Sequence, residues 1–180
     1  ELLAVRLKLF LPLVELGLGV NGIGDVGPLA ALEALVTLRL GDNAIEEVTP
    51  LGGLTRLEAL HLERNAVSDL SPLAGLTGLQ ELDLSGNAVE DVSPLSEMVD
   101  LTVLRLANNA IGELTALETL TALVELDLSN NSIGDLAPLL GLTAGTVDVR
   151  GNPFDCGDQQ QNIQTLQDQG VEVLSDCYIE

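Results

Sequence analysis

Between Leu79 and Asp100 the apolar positions change their spacing halfway. Leu79, Leu82 and Leu84 lead with the alternation of a strand, Val89, Val92, Leu95 and Met98 follow at the i, i+3 spacing of a helical turn, and Asn87 stands at the switch. The same 22-residue pattern opens at Leu13, Leu35, Leu57, Leu79, Leu101 and Leu123, and after a shortened junction a last unit opens at Ala144. Repetition at this period marks a stacked array, each unit being a strand, a turn and a short helical turn. No unit can stand alone. Ordering its backbone costs about 1–2 kcal/mol per residue, so neighbours must complete its core and both ends of the array need caps.

Asn21, Asn43, Asn65, Asn87, Asn109, Asn131 and Asn152 fill the ninth position of every unit. A short amide, donor and acceptor at once, can bond the backbone where the chain leaves a strand, and stacking would align these amides into a ladder. In the second half of the unit, Thr49, Ser71 and Ser93 precede Pro50, Pro72 and Pro94. That order reads as a hydroxyl N-cap with Pro at the first helical position. Gly27 and Ala137 replace the hydroxyl in two units, and Thr115-Ala116 stands where Pro is expected in another.

Residues 1–12 fit strand and helix spacing alike and are read as an N-terminal cap or partial repeat; residues 13–155 are the array, and residues 156–180 a C-terminal cap of helix plus strand, all one continuous structural domain. In that cap Asp158 and Gln161 have capping-box spacing, Ile163 and Leu166 form an apolar stripe, Gly170 stops the helix, and Val171 to Leu174 read as a strand. Cys156 and Cys177 flank the module. A disulfide is the first reading and two buried thiols the second; a metal site falls short because two cysteines lack the further ligands of a tetrahedral set. A bridge implies an extracellular, cell-surface or periplasmic protein, with a cytoplasmic one still open. The missing initial Met fits a processed product or a piece of a longer protein.

Seven registered copies of L-x-x-L-x-L-x-x-N-x-[I/V], from Leu13 to Phe154 with Val147, Val149 and Phe154 as substitutions in the last, resemble the 22-residue class of leucine-rich repeats found in bacterial internalins and in a phosphatase regulatory subunit. The resemblance implies an α/β fold: a right-handed solenoid, or horseshoe, with a parallel β-sheet on the concave face and short helical or 3-10 turns on the convex face. The run N-P-F-D-C ending at Cys156 also resembles the entry to the Cys-containing caps of secreted members, which often carry four cysteines where this chain has two.

Composition narrows the picture further. With 46% apolar residues but only 2% aromatic, the core must be aliphatic. The first 20 residues are broken by Arg6, Lys8, Pro12 and Glu15, which makes a poor membrane span and a poor signal peptide. A formal charge of −21 repels nucleic acid and anionic lipid, both of which need clustered cations, and so excludes those partners. The charge fits solubility first and the attraction of cationic partners second.

Three motifs suggest chemistry and are read otherwise. Gly17-Leu18-Gly19-Val20-Asn21-Gly22 has the form G-x-G-x-x-G, but Leu18 and Asn21 belong to the repeat and no long helix follows, so no nucleotide or other cofactor is expected. His61 falls in one column with Arg39 and Asp83, where a surface ion-pair ladder is favoured over catalysis; no enzyme is predicted. The acids Asp25, Glu47, Asp69, Asp91, Glu113 and Asp135 recur at one position and could attract Ca²⁺, but backbone bonding in the loop explains them better, and no metal site is assigned.

The outward strand positions are left free to carry a function. One column runs Gly17, Arg39, His61, Asp83, Arg105, Asp127 and Asp148; Glu81 and Glu125 lie in a column on one side, and Arg150 on the other. Arg39, Arg64, Arg105 and Arg150, four of six arginines, are assigned to this face. The expected function is non-enzymatic protein or peptide recognition in a bacterial exported protein, the arginines pairing with partner carboxylates and Asp83, Asp127 and Asp148 with partner cations. The alternatives are a structural or spacer segment of a larger surface protein or multidomain enzyme, and a cytosolic regulatory subunit.

Overall fold

A computed structural model describes residues 12–177 of the chain, so the expected N-terminal cap lies, apart from Pro12, outside the described residues. Eight parallel strands form one sheet in strict chain order: β1 (Glu15–Gly17), β2 (Thr37–Arg39), β3 (Ala59–His61), β4 (Glu81–Asp83), β5 (Val103–Arg105), β6 (Glu125–Asp127), β7 (Gly145–Asp148) and β8 (Val171–Leu174). A 3-10 turn follows each of the first six strands, at Gly27–Ala31, Thr49–Leu51, Ser71–Leu73, Ser93–Leu95, Thr115–Leu117 and Ala137–Leu139. Helix α1 (Cys156–Asp168) connects the last two strands. The result is a solenoid in which each strand pairs only with its sequence neighbours.

The middle residue of each short strand turns inward, and Leu38, Leu60, Leu82 and Leu104 are fully buried. All seven apolar positions of the Leu79 to Met98 unit are at most 2% exposed, forming a single aliphatic core that runs from Val26 to Val171. The strand alternation sends the flanking residues to the opposite, exposed face.

The asparagine column staples successive units together. Asn65 donates from Nδ2 to the carbonyls of Leu62 (2.9 Å) in its own unit and Leu40 (3.0 Å) in the preceding one, while its Oδ1 accepts the N–H of Ile45 at 3.0 Å. Asn43, Asn87, Asn109, Asn131 and Asn152 repeat the arrangement. These amides satisfy backbone groups that strand pairing leaves open at the turn. The residue before each of them is left-handed, with φ of 60° at Val20, 56° at Asp42, 52° at Arg64, 67° at Gly86, 56° at Asn108, 55° at Asn130 and 71° at Gly151. Gly, Asn and Asp accept that conformation readily, whereas β-branched Val20 carries strain.

Two expected caps are corrected. Thr49, Ser71 and Ser93 do not cap their turns: the cap positions are Val48, Leu70 and Val92, without a side-chain bond. The recurrent acid takes that part instead. Asp25, Asp69, Asp91 and Asp135 each accept, at 2.8–2.9 Å, the N–H two residues on, at Gly27, Ser71, Ser93 and Ala137. An aspartate is short enough to curl back over two residues. Its hydrogen bonds with Ser71 and Ser93 hold the carboxyls of Asp69 and Asp91 below their ordinary pKa. At the C-terminal helix the cap is Asp155, not Asp158; its Oδ1 accepts the N–H of Gly157 at 2.7 Å and of Asp158 at 3.3 Å.

Helix α1 closes the array by burying Ile163 and Leu166. Gln159, also buried, imitates the ladder: its Oε1 accepts the N–H of Leu136 at 3.0 Å and its Nε2 donates to Gly134 O at 3.3 Å. Cys156 and Cys177 form a disulfide with their Cα atoms 5.5 Å apart, tying the helix start to the chain beyond β8. The shortened junction passes through Gly145, φ 96°, where any Cβ would lie 2.2 Å from the carbonyl oxygen of Val124.

Candidate functional site: the exposed face of the sheet

Strand register assembles two complete columns on the exposed face. Glu15, Thr37, Ala59, Glu81, Val103, Glu125, Thr146 and Glu172 are successive Cα partners, as are Gly17, Arg39, His61, Asp83, Arg105, Asp127, Asp148 and Leu174. Glu63 and Arg150 extend the face just beyond their strands. Arg64 sits one residue further, in the left-handed turn.

Most of the arginines are held by acids of this same chain. Arg105 reaches Glu125 Oε1 from Nε (2.6 Å) and Glu81 Oε1 from Nη1 (2.8 Å), with Asp83 Oδ2 at 3.9 Å. The hydrogen bond with Glu125 leads in raising its pKa further above the ordinary arginine value. Arg64 clamps Asp42 with two bonds of 2.5 and 2.6 Å, which lowers the Asp42 carboxyl. Arg150 donates from Nε to Asp148 Oδ1 at 2.9 Å and from Nη2 to Oδ2, lowering Asp148 in the same way. Arg39 is exposed and forms no ion pair among the described residues.

The aspartates of the second column also have local duties. Asp83, Asp127 and Asp148 accept at Oδ1 the N–H of Ser85, Ser129 and Arg150 at 2.9–3.1 Å, which leaves Oδ2 of Asp83 and Asp127 without a hydrogen bond among the described residues. Over β6 to β8, Glu125, Asp127, Thr146, Asp148 and Leu174 line an open depression of about 330 Å³. His61 lies between Arg39 and Asp83, as its register position predicts. Sequence columns did not show the diagonal reach of Arg105 to two glutamates, because spacing fixes a residue's place and not the direction of a long side chain.

Comparison with known proteins bears on this geometry. Two copies of the family pattern described as leucine-rich repeats match residues 55–97 and 99–141. Internalin InlF of Listeria monocytogenes superposes with a TM-score of 0.83 at 29% identity over 93% of this chain and 48% of its own. This is a leucine-rich repeat protein with internalin-like repeats. Internalin C2 of the same organism superposes with a TM-score of 0.65 at 26% identity, over 89% of this chain and 80% of its own. A leucine-rich repeat protein of Leptospira interrogans superposes at 0.76 and 26% identity, over 84% of this chain and 40% of its own. The chain thus spans about half the length of internalin InlF. No curated protein is similar enough in sequence to count as a relative. Leucine-rich repeat domains of this kind usually mediate protein binding and are typically non-catalytic. Among the described residues no helix is long and apolar enough to cross a membrane.

Proposed function

We propose that this leucine-rich repeat protein is a non-enzymatic recognition module that binds a protein or peptide through the exposed face of its sheet. One observation carries the reading: the outward columns take no part in the core or the amide ladder, so the scaffold leaves them free to vary. The face is electrically divided. Unpaired Arg39 on β2 offers a site for a partner carboxylate, while the acidic depression at Glu125, Asp127 and Asp148 suits a basic side chain. Four strand spacings of about 4.8 Å put the two roughly 20 Å apart, within one extended peptide segment. Arg105, held by three acids, acts mainly as the clasp that keeps the middle of the face ordered.

The disulfide supports an exported or surface-displayed protein over a cytosolic regulatory subunit. Thiol titration of natively isolated, denatured protein should find no free cysteine. A spacer role in a larger protein is the second reading, favoured by the internal pairing of Arg64, Arg105 and Arg150 and by the lack of aromatic anchors in the columns.

Affinity capture with the wild type and with an Arg39→Glu/Asp127→Lys variant separates the two. Recognition through this face requires a ligand retained by the wild type in a salt-sensitive manner and released by the variant, the variant's circular dichroism and melting being unchanged. A ligand held equally by both would move the interface elsewhere.

A further inference from the structure

The exposed face carries one group of side chains with metal-ligating atoms that hydrogen bonding leaves open, its one ion pair being the 3.9 Å approach of Arg105 to Asp83. His61 at the end of β3, Glu63 two residues on and Asp83 at the end of β4 bring one potential ligand atom each within 4.8 Å of one another. We propose that these three residues bind a single divalent first-row transition-metal ion of the Zn²⁺ class, leaving its remaining coordination positions open toward solvent. One imidazole nitrogen with two carboxylate oxygens suits such an ion better than Ca²⁺ or Mg²⁺, which favour all-oxygen shells.

Each residue keeps a ligand atom without a hydrogen bond among the described residues, and two are held in place. Asp83 has its Oδ1 fixed by the Ser85 N–H at 2.9 Å, so the carboxylate is oriented while Oδ2 stays available. Arg105, the nearest cation to that oxygen, stands off at 3.9 Å because its hydrogen bonds go to Glu125 and Glu81. The imidazole of His61 has no hydrogen-bond partner among the described residues. Glu63 is the most telling of the three: its Oε2 is buried to solvent yet has no hydrogen-bond partner among the described residues. A carboxylate oxygen in that condition is costly unless something compensates it.

Glu63 also has a prepared seat. Its carboxylate lies over Gly41 on the neighbouring turn, where a Cβ would come 2.0 Å from Oε1. Glycine at position 41 makes the room, and its backbone needs no left-handed conformation that would otherwise explain it. An acidic patch alone would show neither the buried, unpartnered oxygen nor the nitrogen ligand. Ligand atoms up to 4.8 Å apart must close by up to about 1.4 Å around a tetrahedral ion with bonds near 2.0–2.2 Å, a movement that side-chain rotation supplies. The inference concerns the metal alone and stands apart from any protein partner.

The test is calorimetric titration of chelator-treated protein with ZnCl₂, in millimolar Ca²⁺ to mask the general acidic surface. With Cys156 and Cys177 bonded to each other, no thiol among the described residues competes. One saturable equivalent should bind, and His61→Ala and Glu63→Gln should each weaken it at least tenfold. Gly41→Ala tests the seat: it should displace Glu63 and weaken binding severalfold while leaving the melting temperature within a few degrees. No saturable binding by the wild type, or binding that His61→Ala leaves unchanged, would overturn the site.

Discussion

Asp148 and Arg150 stand two residues apart at the end of β7, and the guanidinium holds the carboxyl below its ordinary value of 3.8. A carboxylate whose folded pKa is depressed contributes stability that is complete above the unfolded pKa and drains away as pH falls through the folded one. For Asp148 the loss therefore occurs below about pH 4 and not near neutrality. In Arg150→Ala the Asp148 carboxyl should titrate closer to 3.8, as read by NMR of its side-chain carbon. An unshifted titration would mean that the backbone N–H of residue 150, which also bonds Asp148, is enough by itself.

Among the elements, the turn after each strand carries more of the stability than its lack of regular structure suggests. Asn87→Ala strands the N–H of Val67 and removes one of two amide donors from the carbonyls of Leu62 and Leu84, which Asn65 and Asn109 still reach. The expected cost is about 1–3 kcal/mol in urea unfolding. Asn87→Asp should cost at least as much, since a carboxylate cannot donate to either carbonyl. Asn21→Ala should cost less, because among the described residues that amide donates only within its own exposed turn, to Leu18 and Gly19. Equal losses at positions 21 and 87 would refute the ladder as the link between units. The ladder was legible in the sequence because one residue type recurs at a fixed offset. Column membership was legible for the same reason: a whole-number period fixes the register. The turn caps were not legible because Ser-Pro and Thr-Pro look like cap and first turn, whereas an aspartate two residues before the serine accepts the N–H of that serine itself. The left-handed column was hidden by Val20 and Arg64, which do not advertise a positive φ. The metal candidate was hidden as well, since Glu63 belongs to a different column from His61 and Asp83, and spacing does not show where a long side chain ends.

At the scale of the whole molecule, strands that touch only their sequence neighbours make stability local. The Cys156–Cys177 bridge closes a loop of 21 residues' separation, and replacing both cysteines by serine should cost about 3 kcal/mol. Hydrogen exchange should show that cost concentrated in α1, β7 and β8, with β2 to β4 nearly unaffected; a uniform rise in exchange along the array would contradict the nearest-neighbour picture. Strict sequential pairing also makes length a free variable at the level of the gene. Excising Leu79 to Asp100 would set Asn109 beside Asn65 with its carbonyl and N–H partners replaced like for like at Leu62 and Val67, so unequal crossing-over between cassettes leaves the scaffold whole. The face would not survive it unchanged, since His61 would then lie beside Arg105 instead of Asp83. Duplication and loss can therefore rewrite what this surface recognises in a single genetic event, at a rate that point substitution does not set.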